Sequence, residues 1–343
     1  MHITMVDDSI PYDGFSPGSR PLGGAEKAFA SLPGALARRG HQVHVYNRTR
    51  YPMVIEDAHW ETMDKPFPTQ TDLLIAFRKP SLLASVRLAG KRLLWTTASG
   101  HQLEPARKAI DSFQPIMAFC GHTQLRSWSD AGALAPNVVA PGLRPDYLAD
   151  APTVLAERPT AVVTTHPAHG LDWLLDRWCG QIRPAVTQAR LVVVSAVLDK
   201  GKSGGEIPEA LRPLLAKALA AAADGVEIMA PRGDGGMAEL YRSARVHLYP
   251  GHADDMVCWT LIESQACGLP AVARPLGAVW ERLKDGQTGQ IVPDDAAFAN
   301  LAIRFLTDDD VFWGMNRDAR LLQRDRSWEV VAAEFDSLAG AAA

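Results

Sequence analysis

Cysteine is scarce in this chain. Only four occur in 343 residues, at 120, 179, 258 and 267, and no two have CxxC spacing. That argues against a disulfide-stapled scaffold and a structural zinc site, and leaves the thiols reading as buried and reduced. An excess of one charge is also missing. Lys plus Arg total 35 and Asp plus Glu 39, for a formal net charge of −4. A nucleic-acid binder needs a basic footprint, so no nucleic-acid partner is expected. Long apolar runs are absent too: no stretch of about 18 uncharged apolar residues predicts a membrane-spanning helix. Residues 1–8 lack the basic start and apolar run of a secretory leader. A cytoplasmic protein is the expectation.

What remains is the make-up of an ordinary folded protein, with 47% hydrophobic and 22% charged residues. The length suits two domains. Residues 2–6 read as a strand, followed by a Pro-, Gly- and Asp-rich loop to Leu22. Gly23-Gly24-Ala25-Glu26 opens a helix that ends at Arg38-Arg39-Gly40, where cations and a terminal glycine mark a C-terminus. Pro33-Gly34 inside it predicts a kink or break. β-rich runs at 43–46, 72–77, 92–97, 116–120 and 138–141 complete a first half. Residues 142–159 carry Pro145, Pro152 and Pro159 without a strong period and read as a linker. The pattern then restarts. Strands are predicted at 160–165, 191–195, 226–229, 246–249, 271–273 and 289–292. Helices are predicted at 170–178, 208–223, 237–244, 260–267, 295–307, 310–323 and 327–338. The reading is α/β: two Rossmann-like, doubly wound parallel-sheet domains facing a cleft, over residues 1–150 and 151–325.

The most specific stretch is residues 249–270, YPGHADDMVCWTLIESQACGLP. A strand ends at Tyr249, a loop of small and acidic residues follows, and a helix runs from near Trp259 to the Gly268-Leu269-Pro270 stop. A loop entering a helix N-terminus offers unpaired N–H groups and a favourable dipole to phosphate. Its acids cannot bind phosphate but accept hydrogen bonds from sugar hydroxyls. Diphosphate between two hydroxyl-binding carboxylates has the shape of a nucleotide sugar.

These residues resemble the large retaining glycosyltransferase family of the GT-B fold called family 4, the glycosyl transferases group 1. Its hallmark is an acid, seven residues, Glu, then Ala-Cys-Gly-x-Pro. Here Asp255 and Glu263 have that spacing, followed by Ala266-Cys267-Gly268-Leu269-Pro270. Gly277-Ala278-Val279-Trp280-Glu281 and Asp285-Gly286-Gln287-Thr288-Gly289 look like the family's downstream segments. Gly23-Gly24-Ala25-Glu26 and Gly170-Leu171-Asp172 look like the openings of its two first helices.

The resemblance implies a transferase that moves a sugar from a nucleotide diphosphate donor, UDP- or GDP-linked, to an acceptor hydroxyl with retention of configuration. No cofactor and no metal are required. The acceptor, a sugar, a lipid-linked group or a small molecule, would sit on the N-terminal domain and the donor on the C-terminal one. Residues 326–343 would form a helix packing back on the N-terminal domain. Gly23 and Gly24 would let backbone approach the donor phosphates and the acceptor. Asp255 would hold hydroxyls of the transferred sugar, and Met256 and Val257 would aim amides at diphosphate or sugar. Glu263 would grip the ribose, Arg232 would line the base pocket, and His101 would stand beside the transferred sugar.

Two departures stand out. The family usually has Glu where Asp255 stands, about 1.5 Å longer in reach. It also usually supplies an Arg and a Lys before the second-domain helix to neutralise the leaving diphosphate. This chain has Thr164-Thr165-His166-Pro167-Ala168-His169, so the task falls to His169, or to Arg232 or His166. That leaves two other readings: a GT-B epimerase or phosphorylase, and a non-catalytic nucleotide-sugar binder. The mixed basic and apolar residues 79–95 also suggest a peripheral membrane surface at the inner face, against the plainer reading of an amphipathic helix and buried strand.

Overall fold

The structure is a computed structural model that describes residues 1–128 and 136–340. Two sheets organise it, one in each of two units: Met1–Arg144 with Arg326–Ala343, and Pro145–Asp325.

The first unit holds eight strands: β1 (His2–Val6), β2 (Gln42–Asn47), β3 (Met53–Ile55), β4 (Ala58–Thr62), β5 (Gln70–Phe77), β6 (Leu88–Thr96), β7 (Ile116–Phe119) and β8 (Pro136–Val138). Their order is β3-β4-β2-β1-β5-β6-β7-β8. All neighbours run parallel except β3 against β4. Central β1 and β5 are nearly continuous apolar runs because helices cover both faces of a parallel sheet.

The Gly24–Arg38 helix runs through Pro33 without interruption, so the expected break does not form. Proline in a helix interior costs about 3 kcal/mol. Residues 27–36 are all buried, with Phe29, Leu32 and Leu36 fully so. At ~1.5–3 kcal/mol for each large apolar side chain, that burial outweighs the lost hydrogen bond. The Trp328–Ala339 helix packs on this one. His41 Nε2 meets Asp336 Oδ1 at 2.7 Å, and Arg39 also pairs with Asp336. Phe335 stacks edge-on to Trp95 at 5.1 Å.

Residues 79–95 form no amphipathic helix. A short 3-10 turn, Pro80–Ala84, leads into β6, and Leu82, Leu83, Val86, Leu93 and Leu94 are buried. Arg92 turns inward to the carbonyls of Leu83 and Val86, both at 3.0 Å. The expected amphipathic helix is therefore replaced by a 3-10 turn, while the expected buried strand forms.

The second unit carries six parallel strands: β9 (Thr160–Val163), β10 (Arg190–Val194), β11 (Val226–Met229), β12 (Val246–Tyr249), β13 (Ala271–Ala273) and β14 (Gly289–Ile291). Their order is β11-β10-β9-β12-β13-β14. Helices connect them right through to Asp309–Leu322, whose N-cap Asp308 accepts the Val311 amide at 3.1 Å. Among the described residues no disulfide forms: Cys120, Cys258 and Cys267 are buried and Cys179 is half-buried. Among the described residues no helix is long and apolar enough to cross a membrane.

Candidate active site

Open parallel sheets bind ligands beyond the carboxyl ends of their strands, where strand order reverses. In the second unit the reversal falls between β9 and β12, with β10 continuing to one side and β13 to the other. The loops after these two strands therefore meet. Gly170 adopts φ +90°, and a Cβ there would stand 2.9 Å from Pro250 Cβ. Only glycine fits both the left-handed backbone and the close approach.

This contact brings three histidines together. The rings of His169 and His252 are stacked, 4.2 Å between centroids and 12° from parallel. His166 lies 5.3 Å from His169. Burial lowers the His169 pKa, and His252 and His166 lower it further, against the pull of Asp255 and Asp254. Among the described residues no group of His, Cys, Asp or Glu is arranged to hold a metal ion.

Beyond His252 the loop is braced from three sides. Asp255 Oδ1 accepts the Cys258 amide at 2.8 Å, and Oδ2 accepts the Tyr249 hydroxyl at 2.5 Å. The Ala278 amide donates to the Asp255 carbonyl at 2.9 Å. Gly277, at φ +60°, lies so close beneath that a Cβ would collide with the Asp255 carbonyl and stand 2.6 Å from that of His252. Arg282, 9% exposed, donates from Nε to the Val257 carbonyl at 3.0 Å. Cys258 is the N-cap of the Trp259–Ala266 helix at φ +55°, an uncommon conformation for a residue with a Cβ. Burial and the Asp255 charge push its thiol pKa up, so it stays protonated.

The braced loop leaves some backbone donors unpaired. The amides of Met256, Val257, Trp259 and Thr260 donate to no group among the described residues. Unpaired amides at a helix N-terminus are able to donate to an anion.

Glu263 lies one turn further on and is 9% exposed rather than a surface acid. It acts electrostatically on Tyr147 and Tyr241, whose pKa values are raised by burial first and by Glu263 next. Arg232 is exposed after β11, and its stem packs on Gly236. It lines a cavity of about 630 Å³ beside that edge strand, with Met229, Lys202 and Glu239. Since β11 lies three strands from β12, at about 4.8 Å per step, this cavity is separate from the imidazoles.

In the first unit the order reverses between β1 and β5. Gly23, the N-cap of the Gly24–Arg38 helix, and Gly24 follow β1. Beside them, Arg78 after β5 donates to Glu26 Oε1 at 2.8 Å and approaches buried Asp7 at 3.4 Å. Asp7 also accepts the Tyr12 hydroxyl at 2.6 Å. His101 follows β6 and is exposed, with a ring nitrogen 3.1 Å from Ser99 Oγ.

Residues 160–308 match the family model "Glycosyl transferases group 1". A D-inositol 3-phosphate glycosyltransferase of Gordonia bronchialis is 29% identical over 219 residues, 60% of this chain and 47% of that protein. The chain spans about half or less of the length of the curated relatives it matches. Among solved structures, sucrose-phosphate synthase from Thermosynechococcus elongatus superposes with a TM-score of 0.76 at 16% identity, covering 98% of both chains. Anabaena HepE, in complex with UDP and glucose, gives 0.74 at 15% identity over 100% of both. The fold is GT-B.

Of the residues predicted for the site, the second unit gathers His169, Asp255, Met256 and Val257 at one switch point, with Glu263 on the adjoining helix. Arg232 stands apart, and Gly23, Gly24 and His101 belong to the other unit. Sequence reasoning missed His252 and Arg282. No local signal marked either. His252 joins its partner only because β9 and β12 are neighbours, and Arg282 returns under the loop from 25 residues downstream.

Proposed function

We propose that this protein is a retaining glycosyltransferase of family 4 type that transfers a sugar from a nucleotide diphosphate donor to an acceptor hydroxyl. The observation that carries the reading is the set of unengaged amides of Met256, Val257, Trp259 and Thr260, on the loop and helix start that follow His252 at the second-unit switch point. Those groups would bind the diphosphate. Asp255 and Asp254 would meet hydroxyls of the transferred sugar, and Glu263 the ribose. Arg232 would face the base. Residues 145–325 would form the donor unit, and Gly23, Gly24 and His101 would act from the acceptor unit. Stabilising the departing diphosphate is the demanding step, and preorganised donors supply it at no reorganisation cost. The match to the group 1 model over residues 160–308 supports the donor assignment. The HepE complex with UDP makes UDP-sugars the first donors to test, with GDP-sugars next.

The test is release of nucleoside diphosphate from a panel of UDP- and GDP-sugars, with sugars, polyols and polyol phosphates as acceptors. Turnover that depends on acceptor and preserves the anomeric configuration is expected. Inversion, or release from none of the donors that bind, would defeat the reading. Glu263→Gln is expected to weaken donor binding at least tenfold.

A further inference from the structure

The three imidazoles at the switch point differ from fixed cations in one respect: their charge is conditional. His169 stacks on His252 at 4.2 Å and lies 5.3 Å from His166. The groups that face it are those two rings and the carboxylates of Asp254 and Asp255. Two protonated rings at that spacing repel each other, the more so the lower the local dielectric. Without an anion His169 therefore resists a proton. Burial also lowers the His169 pKa. The amides of Met256 and Val257, on the same loop as His252, donate to no group among the described residues; an anion held there would favour added positive charge on the rings.

We infer that His166, His169 and His252 form a proton-coupled clamp: a diphosphate binding at the Met256–Val257 amides draws protons onto the rings, and affinity falls as pH rises. The inference rests on the nucleotide-diphosphate reading above and deepens it. Protonation favours the bound state, so the dissociation constant rises with pH above the range where free imidazole titrates. Each ring nitrogen gains an N–H bond to a proton from solvent, which returns to solvent on release.

The test uses the full chain with UDP-glucose and GDP-mannose, whose diphosphates do not titrate near neutrality. Calorimetry in two buffers of different ionisation enthalpy reads the protons taken up. Uptake of about half a proton or more per donor is expected. The dissociation constant should rise about tenfold between pH 6 and pH 8, within the tenfold per pH unit that one linked proton allows. His169→Lys should abolish most of the uptake and flatten the pH profile, keeping affinity at pH 8 at least at the wild-type level. His252→Asn should reduce uptake while its melting temperature stays near wild type. Binding without proton uptake, or an unchanged profile in both variants, overturns the clamp while leaving the donor reading intact. Failure of every nucleotide sugar to bind overturns the donor reading and the clamp with it.

Discussion

Tyr249 donates its hydroxyl to Asp255 at 2.5 Å, tying the last residue of β12 to the middle of the loop that follows. The other carboxylate oxygen holds the Cys258 amide at the start of the next helix. One side chain thus fixes both ends of the proposed diphosphate loop.

Removing the brace should loosen the loop without unfolding the unit. A hydrogen bond to a charged group contributes about 1.5–3 kcal/mol. Tyr249→Phe is therefore expected to lower the melting temperature by several degrees and weaken UDP-sugar binding about tenfold. Calorimetry and a thermal melt check both. Wild-type affinity in the variant would show that the brace does not shape the site.

Gly277 is expected to be far less replaceable than Gly286. Both have positive φ, +60° and +75°, but only Gly277 has backbone where a Cβ would go. Left-handed strain alone costs about 1 kcal/mol. Gly286→Ala should lose about that much, and Gly277→Ala at least twice as much together with nucleotide binding. Urea denaturation of the two variants side by side makes the comparison.

His247 should make the protein acid-sensitive. It is wholly buried, between Thr164 Oγ1 at 3.0 Å and Ser264 Oγ at 2.8 Å, and burial drives its pKa down to about 3. The unfolded chain binds this proton below about pH 6.5, and the folded one does not until about pH 3. Stability is then full above the unfolded value and falls as pH drops through that window, by up to about 1.4 kcal/mol per unit. Melting temperatures from pH 7 to pH 5 should fall less steeply in His247→Gln than in the wild type.

Arg78 is expected to hold the switch point of the first unit. It has φ +64° and neutralises Glu26 and Asp7, the latter 1% exposed. Taking the cation away leaves a buried carboxylate short of charge, at a cost of about 2 kcal/mol for a pair still partly open to solvent. Arg78→Gln should lower the melting temperature by several degrees, read by calorimetry. A variant as stable as wild type would mean that Asp7 needs only the hydroxyls that Tyr12 and Ser9 donate to it.

Most strands and long helices were legible, because parallel strands buried on both faces stand out as apolar runs between turn signals. The β3–β4 hairpin was not. Its turn uses Glu56 and Asp57 at φ +50° and +62°, where Asn or Gly would have announced it. Pro33 misled in the opposite direction, since a local breaker was overridden by tertiary burial. At the site, the Asp255–Glu263 spacing was visible because both lie on one loop and helix. His252 and Arg282 were not, since their positions follow from strand order and from a close approach at Gly277. Neither leaves a trace at its own point in the chain.

The chain leaves the first unit after Arg144 and re-enters it at Arg326, so the order of synthesis is not the order of completion. The second unit is one uninterrupted stretch, and a ribosome finishes it first. The first unit waits with its sheet made and the covering for Trp95 and the Gly24–Arg38 helix still missing. Until Trp328–Ala339 emerges, that apolar surface stands open. A nascent chain stalled near residue 325 would carry a finished second unit and an unfinished first one, the species most in need of a chaperone.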